Sequence, residues 1–347
     1  MNLKYHQCIY KLLCLNLCDR RYYICFPDYY KMKKIIFLSL IALFVLKTTT
    51  QAQTETPIAY KNLSGTVNGT LTMPGNVSGK VPVVLIVADA GPTDRDGNNV
   101  QAGIHGNTYK LLAESLGKSG IASVRYDKRM VGESKTGNKP EDLRFDDYVD
   151  DAVGLIDMLN DDQRFSKVVV FGHGEGSLVS MLAVRDQPAK MIISASATSQ
   201  QGDKFLTEQL KSKPQFVQDE FKTILDSLKK AKTTDNVDPA LYFVASPSKQ
   251  KYLMSYCKYV PIRVIKTVKI PMLIIQGTTD TQIGVADADK LKKAKSDATQ
   301  INISGMNHIL KDAPADKDQN MATYTKPDLP LTAELVTDVV KFINGSN

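Results

Sequence analysis

The chain has 347 residues, a length that suits one α/β domain carrying an insertion. Its formal net charge is +7, but residues 1–52 contain 8 Lys/Arg and 2 Asp/Glu, so residues 53–347 carry a net charge of only +1. This balance gives no electrostatic reason to expect nucleic acid as a partner. Cys257 is the only cysteine after residue 52, which excludes a disulfide framework.

The segment 32–52 has the order of regions that is typical of a secretory signal peptide. Three lysines between positions 31 and 34 precede an apolar run at 35–46, and small polar residues follow, with Thr50 and Ala52 suited to the cleavage site. The run is shorter than the ~20 residues that span a bilayer. We therefore predict an exported protein, periplasmic or secreted, without a stable membrane anchor.

Residues 1–31 precede this segment and contain four of the five cysteines. Because a signal peptide should begin its chain, we interpret them as a misassigned N-terminal extension. A genuine cysteine-rich tail is the alternative.

From residue 53 onward, short apolar runs alternate with helical patterns. The run at 81–90 is rich in β-branched residues, as expected for a strand that is buried on both faces of a parallel sheet. Further strands are predicted at 69–74, 120–127, 167–171, 191–194, 270–277 and 300–303, and helices at 109–116, 145–159, 176–184, 286–294 and 333–343. This alternation predicts an α/β fold with a mostly parallel, doubly wound sheet and helices on both faces.

Residues 195–269 interrupt the alternation. They contain no clear buried strand, but the stretch 214–230 places apolar side chains on one helical face: Val217, Phe221, Ile224, Leu225 and Leu228. We predict a helical cap inserted between two parts of the core, 53–194 and 270–347. The apolar face of the cap either lines an acyl pocket or packs the cap onto the core.

Glycines at both ends of the segment 172–176, Gly-His-Gly-Glu-Gly, indicate a tight strand-to-helix turn. In α/β-hydrolases the sequence Gly-x-Ser-x-Gly presents a nucleophilic serine at such a turn. An acid after a later strand and a C-terminal histidine should follow in chain order, and Asp280 and His308 lie at these places. Gly174 stands where the serine is expected.

Five stretches of the chain resemble bacterial secreted α/β-hydrolases of the serine esterase and lysophospholipase-like type, often grouped with the serine aminopeptidase-like hydrolases. They are GPTDRDGN (91–98), RYDKR (125–129), GHGEGSL (172–178), QGTTD (276–280) and NH (307–308). The resemblance covers nearly all of residues 53–347. It implies an α/β-hydrolase fold and hydrolysis of carboxylic esters by a serine, aspartate and histidine, with a small acyl or ester ligand and no cofactor.

Several residues depart from the pattern of that family. Gly174 replaces the nucleophile, and Met130 replaces a glycine. Asp89 and Ala90 stand where glycine and serine are expected; together with Glu175 they are the residues assigned to the oxyanion hole. A carboxylate at position 89 that faced the pocket would oppose the negative charge that develops during ester hydrolysis.

Two functional hypotheses follow from these departures. In the first, the protein is a catalytically impaired hydrolase or a pseudoenzyme that retains a ligand pocket, because covalent catalysis at this turn needs a hydroxyl. In the second, it is an active exported esterase in which Asp280 and His308 activate water directly, or in which Ser177 is the nucleophile. The histidines lack the spacing of metal ligands, so no metal site is predicted. The oligomeric state is not indicated by the sequence.

Overall fold

The computed structural model of the protein describes residues 52–345. The predictions for residues 1–31, and for all of the segment 32–52 except Ala52, lie outside the described residues. Among the described residues, no helix is long and apolar enough to cross a membrane.

Nine strands form one sheet within residues 52–345. They are β1 (Thr54–Asn62), β2 (Gly65–Met73), β3 (Val81–Val87), β4 (Ala122–Tyr126), β5 (Lys135–Thr136), β6 (Phe165–His173), β7 (Met191–Ala195), β8 (Met272–Gly277) and β9 (Thr299–Ile303). The order across the sheet is β1-β2-β4-β3-β6-β7-β8-β9, and β5 pairs with β2. The pairs that involve β1 or β2 are antiparallel, and all pairs from β4 to β9 are parallel.

The α-helices of the described residues are α1 (Thr108–Lys118), α2 (Phe145–Asp161), α3 (Glu175–Asp186), α4 (Gly202–Gln209), α5 (Gln215–Leu228), α6 (Tyr242–Ala245), α7 (Gln250–Tyr256), α8 (Pro261–Val264), α9 (Val285–Ala294), α10 (Lys317–Met321) and α11 (Ala333–Gly345). Single turns of 3₁₀-helix occur at Val100–Ala102, Pro140–Asp142, Leu210–Ser212, Pro239–Leu241, Pro247–Lys249, Ile265–Thr267 and Ala322–Thr325.

Helices cover both faces of the sheet, and the alternation of side chains along β3 explains how. Val83 and Leu85 pack on one face with apolar residues of α2 and α3, whereas Val84 and Ile86 pack on the other face with residues of α1 and α11. Successive side chains of a strand point to opposite faces, so a continuous apolar run fills two cores. The predicted mostly parallel, doubly wound sheet is confirmed.

Two differences from the prediction have a physical cause. Strand β1 was not predicted because it is an edge strand with mostly exposed side chains, which leaves no apolar run. Strand β3 ends at Val87 rather than at residue 90 because its neighbours β4 and β6 pair with it only as far as that point. Residues 88–90 therefore begin a loop.

Between β7 and β8 the chain forms α4 to α8 and no strand. The apolar side chains of α5 do not join either core of the sheet. They form a separate cluster with Leu241, Val244 and Leu253, which belong to the same inserted segment. We refer to residues 195–269 as the cap.

Candidate active site

The candidate residues come together because the parallel strands end at one edge of the sheet. Asp89 follows β3, Gly174 follows β6, Asp280 follows β8 and His308 follows β9. The carboxyl ends of parallel strands are the usual location of ligand sites in α/β proteins.

Asp280 and His308 form a buried hydrogen-bonded pair. The Nδ1 atom of His308 lies 2.9 Å from Oδ2 of Asp280, whose side chain is 0% exposed. The other carboxylate oxygen of Asp280 accepts hydrogen bonds from the backbone N–H groups of Gln282 and Ile283. Burial alone would raise the pKa of Asp280, but the charge and hydrogen bond of His308 outweigh it, and the pKa lies below its usual value.

The second nitrogen of the His308 ring faces another carboxylate. Its Nε2 atom lies 3.0 Å from Oδ2 of Asp89. Burial lowers the pKa of His308, but the two carboxylates, Asp280 and Asp89, outweigh burial and raise the pKa well above its ordinary value. Because a carboxylate only accepts hydrogen bonds, this arrangement fits an imidazolium that donates from both nitrogens.

Asp89 reaches His308 through the space above Gly174. A Cβ atom built on Gly174 would lie 1.9 Å from Oδ1 of Asp89, and Gly174 has a φ of +52°, a conformation that L side chains rarely adopt. The same Oδ1 accepts a hydrogen bond of 2.8 Å from the backbone N–H of Glu175. Burial raises the pKa of Asp89, yet its hydrogen bond to His308 and the charge of that ring bring the pKa below its ordinary value.

A chain of hydrogen bonds behind the site holds Asp89 and His308 in place. The hydroxyl oxygen of Tyr109 accepts from the backbone N–H of Asp89 at 2.8 Å and lies 2.9 Å from Nδ1 of His173. Nε2 of His173 lies 2.8 Å from the carbonyl oxygen of His308. That carbonyl accepts only, so Nε2 carries the proton and Nδ1 accepts from Tyr109. Burial lowers the pKa of His173, which agrees with a neutral ring.

A second polar cluster joins the core to the cap. Lys128 Nζ lies 3.2 Å from Oε1 of Glu175, donates to the carbonyl of Asp89 at 3.0 Å, and sits over the ring of Tyr148. The hydroxyl of Tyr252, on α7 of the cap, donates to the other oxygen of Glu175. The side chains of Lys128 and Glu175 are nearly fully buried. Sequence reasoning assigned no role to Tyr109, Lys128 or Tyr252, although Lys128 lies in the family-like stretch 125–129.

Ser177 and Ala90 occupy different surroundings. The Ser177 hydroxyl is fully buried on α3 and donates to the carbonyl oxygen of Gly172 at 2.8 Å. Ser177 does not line the cavity of about 440 Å³ that lies between the cap and the strand ends, which we call the main cavity, whereas Ala90 does. Met130 also lines the cavity, and its φ of +64° is in the region that favours the glycine expected there.

A cavity of about 440 Å³ lies between the cap and the strand ends. Asp89, Glu175 and His308 are at its polar end. The cap contributes apolar and aromatic lining residues, among them Phe205, Leu206, Phe243, Val244, Leu253 and Tyr256. A mostly apolar cavity of this size with a few converging polar groups is typical of sites for small organic ligands. In the described part of the chain, no group of three or more His, Cys, Asp or Glu side chains is arranged to hold a metal ion.

Known proteins resemble this chain in sequence and in fold. A family model described as serine aminopeptidase, S33, matches residues 102–312. Esterase EstD of Thermotoga maritima is 25% identical over 267 residues, which cover 73% of this chain and 61% of the esterase. The chain thus spans less than two thirds of the length of that relative.

Solved esterases share the fold at low sequence identity. Est1E from Butyrivibrio proteoclasticus, in a structure with bound ferulic acid, is 17% identical with a TM-score of 0.54 over 81% of this chain and 97% of its own. The Pyrococcus furiosus esterase Pf2001 is 15% identical with a TM-score of 0.55, over 85% of this chain and 91% of its own. The predicted α/β-hydrolase fold is confirmed. Because the family model matches more than half of the sequence, the chain belongs to the serine aminopeptidase (S33) family of α/β-hydrolases.

Proposed function

We propose that this protein is an esterase-lineage α/β-hydrolase that has lost serine-type hydrolysis and retains its cavity as a binding site for a small acyl or ester ligand. The observation that carries the proposal is the position of Asp89. Its carboxylate fills the space beside Gly174 that a nucleophile's side chain would need, and it is bonded to both His308 and the N–H of Glu175.

Three features of the site oppose covalent ester hydrolysis. Gly174 has no hydroxyl to attack a carbonyl carbon. The N–H of Glu175, which follows Gly174 and is thus the donor expected for an oxyanion, is already bonded to Oδ1 of Asp89. Loss of one such donor typically costs ~10²–10³ in rate. His308 is held between two carboxylates that favour its protonated form, so it is a poor base.

The alternative of an active exported esterase has less support. A nucleophilic Ser177 would have to break its bond to Gly172 and reach the cavity from inside α3. Direct attack by water would need a neutral His308 with a free Nε2, whereas that nitrogen faces Asp89. Export through residues 32–52 remains part of the proposal and rests on the sequence pattern alone.

The cavity supports a ligand with an apolar body and one polar end. Its volume of about 440 Å³ is within the range of small-molecule sites. Phe205, Leu206 and Val244 supply apolar surface, while Asp89 and His308 supply the polar end. Ligand binding is tested by calorimetric titration of the natural protein with p-nitrophenyl esters of increasing chain length, which we expect to bind without being cleaved.

Catalysis is tested by restoring the hydroxyl with and without removal of the carboxylate. The natural protein and Gly174→Ser should both fail to hydrolyse short-chain p-nitrophenyl esters and to react with a fluorophosphonate probe. In Gly174→Ser the Cβ atom of the new side chain would overlap the carboxylate of Asp89. The double variant Asp89→Gly/Gly174→Ser frees the space, the N–H of Glu175 and the ring of His308, and we expect it to be labelled and active.

The control is Asp89→Gly/Gly174→Ser with His308→Ala added, which should lose the activity of the double variant. Robust turnover by the natural protein that His308→Ala abolishes would overturn the proposed loss of hydrolysis. Labelling of Gly174→Ser as strong as that of the double variant would show that Asp89 does not block the turn.

A further inference from the structure

The exposed aromatic side chains of the described residues are all on the cap. Exposed large hydrophobic side chains occur at nine positions among the described residues, four of them on the cap, and the aromatic ones are Phe216, Tyr242 and Phe243. Phe243 is 60% exposed and Phe216 is 61% exposed. Exposed apolar side chains that lie together and are surrounded by polar groups indicate a surface for association.

The charge of residues 53–347 is also distributed unevenly between the cap and the core. The cap, residues 195–269, contains 13 Lys/Arg and 7 Asp/Glu, a formal charge of +6. The rest of residues 53–347 contains 23 Lys/Arg and 28 Asp/Glu, a formal charge of −5. The near-neutral total therefore conceals a basic cap on an acidic core.

Basic and aromatic groups meet around Phe243. Lys213 Nζ lies 5.9 Å from the centre of the Phe243 ring, and Lys249 Nζ donates to the carbonyl oxygen of Phe243 at 2.7 Å. Phe216 is three residues from Lys213, and Tyr242 adjoins Phe243. We call these five residues the aromatic–basic face.

The main cavity opens beside this face. Phe243, Leu206, Gln209 and Val244 line the cavity above His308, and they also line a smaller cavity of about 250 Å³ that Lys213 borders. A mostly apolar path therefore leads from the aromatic–basic face toward the polar end of the site.

We propose that the aromatic–basic face docks the protein reversibly on an anionic lipid bilayer. Aromatic side chains with a polar or basic surrounding prefer the boundary between headgroups and acyl chains. Lysines near an anionic surface add to the attraction, each worth about fivefold in affinity. The bilayer is favoured over a soluble polyanion because the apolar path beside Phe243 lets an amphiphile pass from the lipid into the cavity without crossing water. The docking does not depend on the loss of hydrolysis.

The test uses the fact that the chain has no tryptophan. In Phe243→Trp, the single indole reports on the cap alone, in the full chain. The matched control reporter is Val77→Trp. Val77 is 38% exposed and lies in the loop between β2 and β3, at the end of the sheet where β3 begins and not at the end that carries the candidate site. With vesicles of phosphatidylglycerol and phosphatidylcholine, Phe243→Trp should shift its emission to the blue and be quenched by brominated acyl chains. The emission of Val77→Trp should change little. This variant is the control for contact of other parts of the chain with the lipid.

The charge requirement is tested in the Phe243→Trp background. Lys213→Glu/Lys249→Glu should weaken binding to the anionic vesicles by about 25-fold or more, from about fivefold for each lysine lost. Lys341→Glu, an exposed charge reversal on α11, should leave the affinity unchanged.

Four results would overturn the proposal. The first is no shift of Phe243→Trp on anionic vesicles, and the second is an equal shift on vesicles of phosphatidylcholine alone. The third is an equal shift with heparin in solution, which would indicate a site for soluble polyanions. The fourth is a shift that grows with protein concentration in the absence of lipid, which would assign the face to a second copy of this chain.

Discussion

Asp89 and Gly174 depend on each other for space. Any Cβ at position 174 would overlap the Asp89 carboxylate. Conversely, the Asp89 carboxylate reaches His308 and the N–H of Glu175 only because position 174 is empty. The two departures from the family pattern are therefore one structural change, in which a carboxylate takes the place of a hydroxyl.

The charge of Asp89 should control the ionisation of His308. In Asp89→Asn the imidazolium loses one of its two facing carboxylates, so we expect the pKa of His308 to fall by ~1–3 units. The measurement is NMR titration of the imidazole signals in the natural protein and the variant. Asp318→Asn, an exposed change on α10, is the control and should leave that pKa in place. An unchanged pKa in Asp89→Asn would mean that Asp280 alone sets the charge of the ring.

The hydroxyl of Tyr109 connects helix α1 by hydrogen bonds to residues at the ends of β3 and β6, two central strands of the sheet. Tyr109 on α1 accepts from the backbone of Asp89 after β3 and donates to His173 at the end of β6. His173 in turn reaches the backbone of His308 after β9. Through this relay, the packing of α1 positions the loops that carry Asp89 and His308.

Removal of that hydroxyl should destabilise the protein without disturbing its core. In Tyr109→Phe the ring still fills its buried site, but two buried groups lose their partner, at a cost of ~1–3 kcal/mol in the free energy of unfolding. Tyr242→Phe removes an exposed hydroxyl and should change that free energy by less than ~0.5 kcal/mol. Denaturant titration of both variants measures the difference, and equal stabilities would mean that water replaces the Tyr109 hydroxyl at no cost.

Many of the strands and helices were predictable because the sequence patterns that indicate them are local. The sequence alone indicates the β-branched run of β3 and the apolar face of α5. Both observed elements lie close to the predicted ones. The role of Asp89 was not predictable in the same way. The sequence indicated a carboxylate that would oppose an oxyanion, but its bonds to His308 and Glu175 arise from the juxtaposition of strands that are distant along the chain. The contacts of Tyr252 and Lys128 with Glu175 were not predictable for the same reason, since Glu175 is remote from both in sequence.

The arrangement of one imidazolium between two carboxylates should give the whole molecule a characteristic pH dependence of stability. The pKa values of Asp89 and Asp280 are lowered on folding, so their contribution is present above the unfolded carboxyl pKa of ~3.9 and is lost as the pH falls through the folded values. The pKa of His308 is raised on folding. Its contribution is therefore complete below the unfolded value of ~6.5 and is lost as the pH rises through the folded value.

These opposite signs place the largest contribution of the three residues between about pH 4 and about pH 6.5. The free energy of unfolding of the natural protein should exceed that of Asp89→Asn most within this window, and the difference should narrow on both sides of it. Denaturant titrations of the two proteins from about pH 3 to about pH 9 measure this difference. Asp318→Asn should give a difference that does not vary across the window. A difference between the natural protein and Asp89→Asn that is constant over the whole range would mean that Asp89 and His308 do not form an ion pair, and it would remove the electrostatic reason for regarding His308 as a poor base.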